Sequence, residues 1–121
     1  MITDEQIKYL VKVLRCAVTG EAAPDIPPGL DVERFMNFCR FHKVDNIVYM
    51  TVGNSLGDEI KAQYEKLYNQ MVMVQAFQQH YLEKTEKTFE ENGIDYLVLK
   101  GRELARLYPL EVMRQSSDFD I

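Results

Sequence analysis

Apolar residues recur at three- and four-residue spacing through most of the first 90 positions, and that period belongs to helices. Ile7, Leu10, Val11, Leu14 and Val18 form the first such row and stop at Gly20. Ahead of them, Thr3-Asp4-Glu5-Gln6 has the form of a capping box, in which Thr3 and Gln6 satisfy free backbone N–H groups reciprocally. The stretch EAAPDIPPGL holds three of the four prolines and predicts a loop. Asp31 is placed to cap a second helix whose Phe35, Phe38, Cys39 and His42 line one side. The segment NIVYMTV, residues 46–52, has the β-branched content of a strand in the setting of a helix, and helix is the favoured reading.

Ser55 with Asp58 marks a further start, and Asn92-Gly93 is a favoured stop. Between them Ile60, Tyr64, Leu67, Met71, Val74 and Tyr81 keep the helical period, widened by Tyr68, Phe77, Leu82 and Phe89. A helix of that length spans roughly 50 Å. It is expected to be the spine against which the earlier helices pack, with part of it serving a partner chain. Its Met- and Tyr-rich stripe reads as helix–helix core rather than as a ligand box.

The texture changes after Gly93. IDYLVLKG predicts a short buried strand over residues 96–99 that runs into Gly101. Residues 102–107 suit a short helix closed by Tyr108-Pro109. Residues 117–121 alternate polar and apolar, which puts Asp118 and Asp120 on one face of a strand and Phe119 and Ile121 on the other. The predicted fold is α+β and predominantly helical. A helical region over 1–92 leads into the opening strand–helix–strand of an α/β unit over 93–121.

Composition narrows the function classes. A net charge of −5 argues against non-specific nucleic-acid binding through a broad basic face, though not against a local cationic site. Cys16 and Cys39 have no metal-like spacing and read as reduced, packed thiols, which suits a cytoplasmic location. MITDEQIKYL has neither a basic n-region nor an apolar h-region, and no apolar run approaches membrane-spanning length, so no membrane partner is expected.

The chemistry concentrates near the C-terminus, in VMRQSSDFDI, residues 112–121. Carboxylates at i and i+2 on a strand stand roughly 6–7 Å apart at Cα. They repel one another unless a cation sits between them, and Mg²⁺ typically takes one or two carboxylates plus substrate phosphates. Taken alone, the pair would be a solvated strand face; its context raises it. A strand ending in Lys100-Gly101 opens directly into a helix, where free N–H groups and a glycine backbone suit a phosphate. Cys39 with His42 and His80 with Glu83 supply only two ligands each, so packing and a solvent-facing pair are the readings there.

These residues resemble a known family. GIDYLVLKGRELARLYPLEVMRQSSDFDI is similar to the signature of a nucleotidyltransferase family within the DNA polymerase β-type superfamily. The shared elements are Gly93-Ile94, Leu99-Lys100-Gly101, Leu107-Tyr108-Pro109, Arg114 and Asp118-Phe119-Asp120, in order and spacing. The resemblance covers residues 35–121, with FHKVDNIVYM and the long helix as its helical lead-in. Abortive-infection toxin nucleotidyltransferases share a similar arrangement.

The resemblance implies metal-dependent transfer of a nucleoside monophosphate from NTP to an acceptor hydroxyl. Asp118 and Asp120 would be the catalytic ligands of Mg²⁺ or Mn²⁺. Lys100, Gly101 and Arg114 would meet the nucleotide's phosphates. Two departures stand out. Gly101-Arg102 replaces the superfamily's usual Gly-Ser, and the third carboxylate, carried by a later strand, has no counterpart before Ile121. The chain is therefore expected to be the N-terminal part of a longer enzyme, inactive by itself. The competing expectation is a non-catalytic helical interaction module or a toxin–antitoxin component, with homodimerisation through open strand edges or the long helix. Neither the acceptor nor the base of the nucleotide is legible.

Overall fold

The computed structural model describes residues 2–99 and 101–115, with the backbone alone at positions 101 and 102. In chain order the helices are α1 (Asp4–Thr19), α2 (Val32–Phe41), α3 (Asp45–Val52), α4 (Asp58–Glu91) and α5 (Gly101–Ala105). Short 3₁₀ turns occupy Gly53–Ser55 and Glu111–Met113. The protein is predominantly helical, as expected. Contacts divide it into two compact units, Met1–Tyr68 and Asn69–Ile121, and α4 contributes to both.

In the first unit the local signals act as the sequence suggests. Thr3 Oγ1 accepts from the Gln6 N–H at 3.2 Å, and Gln6 Oε1 accepts from the Thr3 N–H at 2.9 Å, closing the capping box. Gly20 ends α1 in the left-handed region (φ 77°), donating its N–H to the Cys16 carbonyl at 2.9 Å. Asp31 Oδ1 caps α2 by accepting from the Arg34 N–H at 3.1 Å. The proline loop is tied to α1 where the Tyr9 hydroxyl donates to the Pro24 carbonyl at 3.4 Å.

Packing then follows. α1 and α2 both lie against α3. Val13, Phe35, Met36, Cys39 and Val48 lose all exposure to solvent, and Tyr9, Leu10, Val52, Leu56 and Tyr64 join them. Residues 46–52 are helical despite their β-branched content, because α3 is buried among neighbours whose apolar contacts outweigh propensity. The buried row of α1 is Tyr9, Leu10 and Val13, whereas Val11 and Val18 are exposed. The core face thus passes through a tyrosine that keeps its ring inside, 5.5 Å from that of Phe35, and its hydroxyl at the loop.

In the second unit α4 continues to Glu91, about 50 Å from its start. Gly93 takes φ 65° and Ile94 donates its N–H to the Phe89 carbonyl at 2.8 Å, which satisfies a terminal carbonyl and turns the chain back. The Tyr96 hydroxyl then donates to Glu90 Oε1 at 2.9 Å, and this bond pushes the phenol's pKa up to about 12.

Residues 96–99 correct the expectation of a buried strand. Among the described residues there is no strand, Leu97 is 72% exposed and Leu99 49%. Pairing here is confined to a single bridge at Leu99, and one bridge does not make a ladder. The expected helix over 102–107 is observed as α5, Gly101–Ala105, followed by a turn in which Leu107 and Tyr108 donate to the Leu104 and Ala105 carbonyls. The strand expected over 117–121 lies outside the described residues.

The stripe on α4 is also corrected. Tyr64 and Leu82 are buried, but Val74, Phe77 and Tyr81 are exposed, together with Val72 and Met73. Gln75 and Gln78 are buried in their place. From Leu67 to Leu82 the helix carries no Asp, Glu, Lys or Arg. No helix among the described residues is long and apolar enough to cross a membrane.

Candidate functional site

Of the residues singled out from the sequence, Lys100, Asp118 and Asp120 lie outside the described residues. Gly101 opens α5. Arg114 is described in full, and its surroundings give the candidate site its visible geometry.

Arg114 follows the 3₁₀ turn Glu111–Met113, whose last residue, Met113, is buried. The Arg114 N–H donates to the Glu111 carbonyl at 3.2 Å, closing the turn, and its backbone then extends (φ −95°, ψ 106°). Its own carbonyl accepts from Nε2 of Gln75 on α4 at 2.8 Å. One residue of the long helix therefore holds the main chain at Arg114, 39 positions further along. The guanidinium is treated differently. Its Nε is buried and has no hydrogen-bond partner among the described residues. A buried cationic donor left without an acceptor is costly, and a carboxylate or phosphate oxygen is the group that relieves it.

Arg106 pairs with Glu103 at 3.3 Å on the exposed side of α5. Among the described residues no group of three or more His, Cys, Asp and Glu side chains converges as a metal site. Cys39 is fully buried while His42 is exposed, its ring tilted against that of Phe38 with centroids 4.5 Å apart. His80 is exposed, and Glu83 accepts from Gln79 Nε2 at 2.8 Å. Two surface hollows, of about 220 and 340 Å³, are lined by residues of α1 and the proline loop, and no predicted site residue lines either.

Sequence reasoning missed Gln75. Its signal was nonetheless present: Met71, Gln75, Gln78 and Leu82 continue the spacing of Tyr64 and Leu67, so two amides stand in a row that is apolar on either side of them.

A family model described as "uncharacterised nucleotidyltransferase" matches residues 28–121, more than three-quarters of the chain. The chain belongs to this nucleotidyltransferase family. The matched region includes α2, α3 and α4, Gly101 at the head of α5, the Gln75–Arg114 contact and the Asp118-x-Asp120 pattern. No curated protein and no solved structure matches the chain.

Proposed function

We propose that this protein takes part in metal-dependent transfer of a nucleoside monophosphate from a nucleoside triphosphate to an acceptor hydroxyl. Family membership across residues 28–121 carries the reading. In such a transfer the acceptor oxygen attacks the α-phosphorus and the bond to the β-phosphate oxygen breaks. Pyrophosphate leaves, and the hydroxyl's proton passes to a base. Mg²⁺ or Mn²⁺, held by Asp118 and Asp120, would neutralise the phosphate charge that develops. Arg114 supports the assignment through a property of its own: its buried Nε, without a hydrogen-bond partner among the described residues, is a donor suited to a phosphate or carboxylate oxygen. Lys100 adds a second cation, and Gly101 leaves room for phosphate to approach the backbone. The two free cysteines are in keeping with a cytoplasmic setting.

The test is binding followed by transfer. Each of the four NTPs, with Mn²⁺, is titrated into the protein and into its Asp118→Ala/Asp120→Ala variant. One NTP is expected to bind only when metal is present, with affinity at least about tenfold weaker in the variant. With α-labelled NTP and a cell extract, the label should move onto an acceptor in the parent protein alone. Metal-independent binding that the double substitution leaves intact would overturn the reading.

A second reading, a helical module that associates with another copy of itself, draws on one observation. Met73, Phe77 and Tyr81 leave an apolar line exposed on α4. Sedimentation equilibrium separates the two: a dimer that binds no nucleotide would favour the module.

A further inference from the structure

Two glutamines one helical turn apart on α4 are each more than nine-tenths buried, Gln75 at 7% exposure and Gln78 at 8%, in line with Leu82 at 1%. A primary amide costs free energy to bury unless its donors and acceptor are met, and leucine would pack the same position without that cost. Gln75 meets part of the requirement with a long-range bond, from Nε2 to the carbonyl of Arg114 at 2.8 Å. The contact is specific in kind. An amide donates to a carbonyl in a fixed plane and carries no charge. Lysine or arginine at position 75 would itself compete for phosphate. Glutamate would turn an acceptor towards the Arg114 carbonyl and compete with phosphate for the guanidinium.

We infer that Gln75 is a positioning residue for nucleotide binding. By holding the main chain of Arg114, it sets the point from which the guanidinium reaches, without touching the substrate. The inference rests on the reading of this protein as a nucleotidyltransferase. It extends the site to a residue of the long helix that carries no charge. The 3₁₀ turn before Arg114, anchored by buried Met113, sets the main chain from one side and Gln75 sets it from the other. Such supporting contacts typically change metal or substrate affinity 10–100-fold when removed.

Two variants test it, Gln75→Met, which keeps length but loses the donor, and Gln75→Glu, which keeps shape but replaces donor with acceptor. Each is checked for helicity and titrated with the Mn²⁺–NTP pair that the parent binds. Both are expected to raise Kd about tenfold. Hydrogen exchange at the Arg114 amide should quicken without nucleotide, while exchange at Val13 in α1 stays as in the parent. A measurement needing no variant accompanies them: the Gln75 side-chain NH₂ resonance of the parent should shift when Mg²⁺–NTP is added. The inference falls if folded Gln75 variants bind as the parent does while Arg114→Ala and Asp118→Ala/Asp120→Ala lose binding. It falls equally if both Gln75 variants fail to fold and the parent's NH₂ resonance does not move. If the parent binds no NTP, the nucleotidyltransferase reading itself has failed and takes the role of Gln75 with it.

Discussion

The unit Met1–Tyr68 and the unit Asn69–Ile121 differ in how many apolar side chains they enclose, although each buries two polar residues, Asp45 and Asn46 in the first and Gln75 and Gln78 in the second. In the first, five residues with no exposure at all, Val13, Phe35, Met36, Cys39 and Val48, are gathered from three helices. In the second, the buried residues include Gln75 and Gln78 beside Leu82, Ala105 and Met113, while Leu97, Leu107 and Leu110 stand more than half exposed. Apolar burial is the general source of stability, and buried amides are kept where a particular geometry is required. The first unit thus has the composition of a scaffold. The second encloses fewer apolar side chains, and one of its buried amides, Gln75, is bonded to the main chain of Arg114.

The sharpest way to break this comparison is to remove the largest fully buried ring. Phe35→Ala should cost about 3–5 kcal/mol, because α1, α2 and α3 cannot close over the space it leaves. Denaturant unfolding measures it, and a loss below 1 kcal/mol would deny the first unit its role as scaffold.

A smaller effect appears at alkaline pH. Burial, and after it the charge of nearby Asp45, pushes the Cys39 thiol from 9.0 up to about 12. The folded value lies above the unfolded one, so the contribution is complete below about pH 9 and is lost as pH rises towards 12. Urea midpoints should therefore fall more steeply with pH over that window in the parent than in Cys39→Val. Equal slopes would place the thiol in a wetter environment than the core allows.

The smallest effect sharpens the contrast from the other side. Leu97→Ser with Leu107→Ser should shift stability by less than about 0.5 kcal/mol, since neither side chain is sheltered. A loss above 1 kcal/mol would mean that both are covered in solution.

These differences also explain what the sequence could disclose. Thr3 with Gln6, Asp31, Gly20 and Gly93 act through bonds within a few residues, so their effects were legible one turn at a time. The buried row of α4 was not. From Met71 onward the apolar residues Val74, Phe77 and Tyr81 draw the eye along one face, whereas the buried line runs through Gln75, Gln78 and Leu82. Only a partner 39 residues away makes an amide at position 75 comprehensible. Residues 96–99 failed for the complementary reason, since a short apolar run describes what a segment would do when neighbouring strands bury it. The family was legible as a motif, in Arg114 and Asp118-x-Asp120. The support behind Arg114 was not, because no local pattern encodes a bond from a helix side chain to a distant carbonyl.

The uncharged middle of α4 has a consequence of its own. Whatever comes to cover Met73, Phe77 and Tyr81 meets methyl, thioether and ring atoms and almost no fixed charge. Such a contact would barely respond to added salt, since there is little for ions to screen. It would respond to temperature instead, weakening in the cold as water becomes a better solvent for apolar surface. A cold-sensitive, salt-tolerant association would be the signature of this helix in any assembly it enters.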